Sequence, residues 1–165
     1  MHDIFDIACN FTSERFDGDL EEIINRAIKN NVTKFGLICS RVKDFPRLIN
    51  IYNNFSDSMR FTIGVHPHHA NEFNNEYLLQ LQNLIKDNPP HAIGETGLDF
   101  FRNLSSYDEQ IYAFEEQIKL AITYNKPLFL HQRDSHEDFI RILRNYSSDI
   151  NKSVVHCFTG TQSQL

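Results

Sequence analysis

The sequence predicts an α/β fold whose parallel strands form an incomplete TIM-like (β/α) barrel of about six strands. Three observations predict it. Short apolar runs alternate with amphipathic helical stretches along the whole chain. The runs begin near residues 4, 34, 61, 91, 127 and 153, a pitch of roughly 30 residues, which is that of a strand–helix–strand unit. Several runs end on a residue able to bind a cation. An open doubly wound sheet fits the same pitch, but it would spread those ends along a line, whereas a barrel gathers them around one axis.

The first run, Ile4-Phe5-Asp6-Ile7-Ala8-Cys9, is followed by Leu20, Ile23, Ile24, Ala27 and Ile28, which share one helical face. The second run is Lys34-Phe35-Gly36-Leu37-Ile38-Cys39. Asp44 is expected to cap the next helix, with Pro46 in its first turn and Phe45, Leu48, Ile49 and Tyr52 inward. Phe61-Thr62-Ile63-Gly64-Val65 is the third run. Tyr77, Leu78, Leu81, Leu84 and Ile85 mark a helix that Pro89-Pro90 stops. His91-Ala92-Ile93-Gly94-Glu95 is the fourth run. Ser106 and Glu109 form a capping box before a helix with Ile111, Phe114, Ile118, Ala121 and Ile122 inward. Pro127-Leu128-Phe129-Leu130-His131 is the fifth run, Phe139, Ile142, Leu143 and Tyr146 mark the fifth helix, and Ser153-Val154-Val155-His156-Cys157 is the sixth run.

One domain over residues 1–165 accounts for this pattern, with no linker, low-complexity segment or sequence repeat. Apolar residues make up 41% of the chain, ordinary for a globular protein. No segment approaches the roughly 20 apolar residues of a membrane span, and Met1-His2-Asp3 opens no signal-peptide pattern. A cytoplasmic protein is the expectation. Cys9, Cys39 and Cys157 are far apart, odd in number and set in apolar runs, so they read as buried core residues rather than a disulfide framework. The net charge of -6 and the absence of a basic run argue against broad electrostatic gripping of nucleic acid. Action on DNA would have to be local.

The chemistry collects at the ends of the runs: Asn10 after the first, His66 after the third, then Glu95, His131 and His156. A lone His in such a place is usually only a polar residue entering a loop. Four His or Glu side chains at equivalent strand ends form a candidate metal site, and imidazole with carboxylate suits divalent cations.

The local sequences are more specific. Gly64-Val65-His66-Pro67-His68, Gly94-Glu95-Thr96-Gly97-Leu98-Asp99, His131-Gln132-Arg133-Asp134 and His156-Cys157-Phe158-Thr159-Gly160 follow in that order. Together they resemble the TatD family of metal-dependent deoxyribonucleases, and the resemblance runs from Phe5 to the last residue. It implies that Glu95, His131 and His156 are metal ligands, with Glu95 the carboxylate able to bridge two ions. It implies that His66 at the pocket edge and Arg133 are phosphate contacts, and that Asp99 holds a ligand or loop in place. It also implies a divalent cofactor, and a DNA substrate hydrolysed at its phosphodiester bonds.

This chain departs from the family pattern in two places. Where many relatives carry His-x-His at the end of strand one, Ala8 and Asn10 stand here. That resembles the TatD-proper branch, associated with 3'-5' exonuclease action on single-stranded DNA. A neutral amide is a weak ligand, so Mg or Mn is expected over tightly held Zn. Secondly, a full barrel takes about 250 residues, and this chain ends after strand six. Strands seven and eight are expected to be missing, and with them the family's strand-eight Asp that serves as general base. Asp134 and His136 are weak substitutes. Two unpaired sheet edges, at strands one and six, are expected to favour self-association. Two other readings stand beside the nuclease: a small-molecule amidohydrolase-like enzyme, whose strand-one His-x-His and strand-four Lys are missing here, and a non-catalytic metal-binding remnant.

Overall fold

The computed structural model describes residues 2–156 and 158–165. The expected burial of Cys157 lies outside them. Six strands, β1 (Ile4–Cys9), β2 (Val32–Leu37), β3 (Met59–Ile63), β4 (Ala92–Asp99), β5 (Leu128–Arg133) and β6 (Ser153–His156), form one sheet in chain order with every neighbouring pair parallel. Five helices cross between them: α1 (Leu20–Lys29), α2 (Phe45–Asn54), α3 (Asn75–Asp87), α4 (Tyr107–Thr123) and α5 (His136–Asn145). Sequential order with a helix in each crossover is barrel topology rather than a doubly wound order. The sheet curls: Asn10 beyond one edge strand and His156 on the other line the same cleft. The result is an incomplete TIM-like half-barrel.

The core lies between sheet and helices. Leu48, Phe114, Ile118 and Ile142 are fully buried under α2, α4 and α5, against Ile63, Ile93, Leu128 and Leu130. Phe114 stacks on Phe139 at 5.4 Å between ring centroids. Burying side chains of this size supplies most of the driving force.

The caps fall partly as expected. Ser106 and Glu109 make the full capping box of α4. Asp44 sits at the N-cap of α2 but makes no side-chain cap, because its carboxylate instead pairs with Arg41 at 3.1 Å. β4 runs four residues past Glu95 to Asp99, since residues 96–99 pair with β5 beyond a register shift after Ile93. β3 stops at Ile63, short of His66. Cys9 and Cys39 are buried free thiols, and desolvation first of all pushes them up to about 12 and about 11. No helix among the described residues is long and apolar enough to cross a membrane.

Candidate metal centre

Four strand tips build the site. After β3, Gly64 and Val65 carry the chain to His66, which caps the short helix Pro67–Glu72. Pro67 fixes the first turn, and His66 Nδ1 accepts the His68 backbone N–H at 3.1 Å. Glu95 lies within β4 between Gly94 and Gly97, whose φ values are +139° and +143°. A Cβ at either position would meet the carbonyl of Phe129 or of His131 on β5, so glycine lets β4 lie close against its neighbour on both sides of the carboxylate. His131 on β5 is in register with Gly97 on one side and His156 on the other.

These tips converge on one atom. Glu95 Oε1 lies 3.0 Å from His131 Nδ1 and 3.5 Å from His66 Nε2, and it is also hydrogen-bonded to His156 Nε2. Donor atoms of His66, Glu95 and His131 all fall within 4.8 Å of one another, and the three side chains are buried. His131 and His156, predicted from sequence as partners of Glu95, thus meet it, and His66 stands slightly farther off, at ion-pair distance from the same oxygen. A buried carboxylate must be neutralised. Here, among the described residues, every ion-pair partner of Glu95 is an imidazole. Carboxylate with imidazole is a donor set that fits a divalent cation.

The electrostatics follow. Burial opposes ionisation of Glu95, but the His131, His156 and His66 contacts outweigh it and hold the carboxyl below its ordinary range. Burial likewise opposes a charged His131, yet Glu95 and Asp99 raise its pKa. His66 goes the other way: burial, more than its neighbours, lowers its pKa. A neutral His66 whose Nδ1 accepts a backbone N–H carries its proton on Nε2, facing Glu95.

Asp99 closes the back of the site. It is 1% exposed. Its Oδ2 lies 3.1 Å from His131 Nε2 and 2.8 Å from His68 Nε2, and its Oδ1 accepts the Arg102 backbone N–H at 2.8 Å. His131 therefore faces Glu95 with one nitrogen and Asp99 with the other, the arrangement in which an outer carboxylate orients a ligating imidazole.

In front of the site lies a cleft of about 730 Å³ lined by His66, Glu95 and His156 and, farther out, by Asn10, Arg15 and Arg41. Arg133 is not among the side chains lining it; its guanidinium lies 3.9 Å above the Phe101 ring. Asp134 and His136 line a different cavity, at the start of α5, so neither faces Glu95 across this cleft. Reading strand ends alone missed His68, Arg15 and Arg41, which come from the short helical turns that follow the strands. It also missed Gln110 and Gln117, two fully buried amides on the face of α4 that meets the sheet. Polar residues seven apart on an otherwise apolar helix face were the available signal.

The family described as TatD related DNase matches residues 5–165. A 3'-5' ssDNA/RNA exonuclease TatD of Pantoea ananatis is 39% identical over 162 residues, covering 98% of this chain and 62% of the relative. Among solved structures, a TatD homologue from Escherichia coli K12 superposes with a TM-score of 0.90 at 29% identity, over 98% of this chain and 62% of that one. A hydrolase TatD family protein from Entamoeba histolytica gives 0.89 at 30% identity, over 99% and 61%. The chain thus spans about 62% of the length of the curated relatives it matches. With a family match over nearly its whole length, and with its strand tips meeting at one carboxylate, this chain belongs to the TatD related DNase family.

Proposed function

We propose that the chain carries the metal-binding part of a divalent-metal-dependent DNA hydrolase, a 3'-5' exonuclease on single-stranded DNA. The observation that supports it most is the convergence of three imidazoles on the buried Glu95. Glu95, His131 and His156 are the ligands in this reading, and Mg or Mn is the cation. A bound divalent cation supplies charge against a phosphate oxygen and makes water a better nucleophile at neutral pH.

The chain's own groups do the rest. Glu95 stays ionised and ready to bind. His131 is neutral when it ligates through the nitrogen facing Glu95, and it donates its Nε2–H to Asp99. His66 is better suited to donate a hydrogen bond than to ligate, because its Nδ1 lone pair already accepts the His68 N–H. Its Nε2–H is the donor offered to a substrate phosphate oxygen. Arg15 and Arg41 on the cleft wall offer charge to phosphates of the bound strand. Arg133, beside Phe101, is a more distant phosphate contact. Asn10 is a weak neutral ligand on the cleft wall. The general base toward water is assigned to no residue of this chain, and Asp134 and His136 are set aside because they face another cavity.

The test is hydrolysis of 5'-labelled single-stranded DNA with Mg or Mn, run with a Glu95→Ala control. Stepwise shortening from the 3' end that needs the cation and disappears in the variant supports the reading. Turnover of a small amide or lactone but not DNA supports an amidohydrolase, and cation binding without turnover of either supports a non-catalytic metal-binding chain.

A further inference from the structure

The tips of β3 and β4 carry His66 and Asp99, yet the two strands are paired only at Thr62 with Ala92 and Ile63 with Ile93. Beyond that point the backbone of Val65 on one tip and of Asp99 on the other needs partners from elsewhere, because both residues are buried. Helix α4 supplies them with two side-chain amides. Gln117 Oε1 accepts the Val65 N–H at 2.7 Å, and its Nε2 donates to the Val65 carbonyl at 3.1 Å. Gln110 repeats the pattern on Asp99: Oε1 accepts the N–H at 2.8 Å and Nε2 donates to the carbonyl at 3.3 Å. A primary amide presents one acceptor and two donors. In both residues the second donor is also used, on the Ala113 carbonyl for Gln117 and on the Ser105 carbonyl for Gln110. Gln117 is 0% exposed and Gln110 1%. Each amide does for its strand tip what a neighbouring strand does elsewhere in the sheet. Residues seven apart on a helix share a face two turns from each other, so one helix holds both tips.

We propose that Gln110 and Gln117 are positioning residues of the metal centre, acting through the Asp99 and Val65 backbones. The inference rests on the reading of the centre given above. The two amides have separable effects. Gln110 fixes Asp99, which orients His131; loosening it weakens cation binding. Gln117 fixes Val65 and hence the backbone of His66, a donor in this reading rather than a ligand; loosening it releases the His66 ring while leaving cation binding nearly intact.

The experiment compares Gln110→Met and Gln117→Met with Ile118→Val, a substitution of a fully buried neighbour on the same helix. Mn affinity is read by electron paramagnetic resonance titration, and the His66 tautomer by histidine ring proton–nitrogen correlation spectra of the cation-free protein. Gln110→Met is expected to bind Mn at least about tenfold more weakly, with the other two near wild type. Gln117→Met is expected to turn the single Nε2–H signature of His66 into a mixture, with Ile118→Val unchanged. If a methionine variant does not fold, the Gln→Glu variant is read in its place, since it keeps the acceptor and loses at least one of the two donors. Wild-type values in both glutamine variants, or equal losses in all three, overturn the proposal while leaving the metal reading intact. A wild-type chain that binds no Mn overturns the metal reading and the Gln110 arm, while the His66 spectrum still decides Gln117.

Discussion

Along β3, β4 and β5 the apolar side chains are sealed: Ile63, Ile93, Leu128 and Leu130 have 0% exposure. At the sheet edges, Ile4 and Phe5 of β1 are 53% and 48% exposed, and Val154 and Val155 of β6 are 41% and 39%. The middle of the sheet is covered by helices and paired on both sides, while each edge strand has one neighbour among the described strands. The site divides in the same way. His66, Glu95, Asp99 and His131 hang from the buried middle, whereas Asn10 and His156 hang from the edges. The middle therefore fixes the shape of the centre, and the edges add to it.

The largest contrast should come from emptying the middle. Phe114→Ala removes a fully buried ring stacked on Phe139 and is expected to cost about 3–5 kcal/mol in urea unfolding; a cost near that of an edge substitution would erase the distinction. Next is Glu95→Ala, expected to weaken Mn binding by more than about 100-fold in a calorimetric titration while the circular dichroism of the fold persists. Asp99→Asn keeps the shape but loses the charge facing His131 and His68, and a fall of about 10–100-fold in Mn affinity is expected.

A pH series sharpens the same comparison. Glu95 has a lowered pKa, so its contribution to stability is present above about pH 4.3 and is lost as pH falls through the folded value. His131 has a raised pKa, so its contribution is present below about pH 6.5 and is lost as pH rises through the folded value. The cation-free protein should thus lose stability as pH rises from about 6.5 to that value, a slope that Glu95→Ala flattens. Mn should reverse the sign, because the cation displaces the His131 proton. Its affinity is expected to gain about tenfold per pH unit until that proton is gone. The smallest effect belongs to the edges: Val154→Ser should stay within about 0.5 kcal/mol. Replacing Phe5 and Val155 by Lys should lower any concentration-dependent sedimentation, which is the test of association through the open edges.

Much of this fold was legible because burial imposes periodicity. The six strands and five helices follow from apolar spacing, and the capping box at Ser106 from local hydrogen-bond chemistry. Asp44 holds the N-cap position read from the sequence, but its carboxylate pairs with Arg41, three residues earlier in the same turn, rather than with the α2 backbone, because a carboxylate there can cap a helix or take a local cation. The meeting of Glu95 with His131 and His156 was foreseeable from register, since equivalent strand ends share a face. The closeness of His66 was not: β3 ends three residues earlier, and the approach depends on how the Gly64–Val65 link is held. Gln110 and Gln117 carried no strand-end signal, because their partners are backbone atoms far away in sequence.

The most direct measurement is anomalous diffraction from crystals of this chain grown or soaked with Mn. The account predicts one peak within about 2.3 Å of a Glu95 carboxylate oxygen, with imidazole nitrogens of His131 and His156 also bound and His66 outside the coordination sphere. A peak away from Glu95, or a Glu95 that keeps its three imidazole contacts with no cation among them, would contradict it.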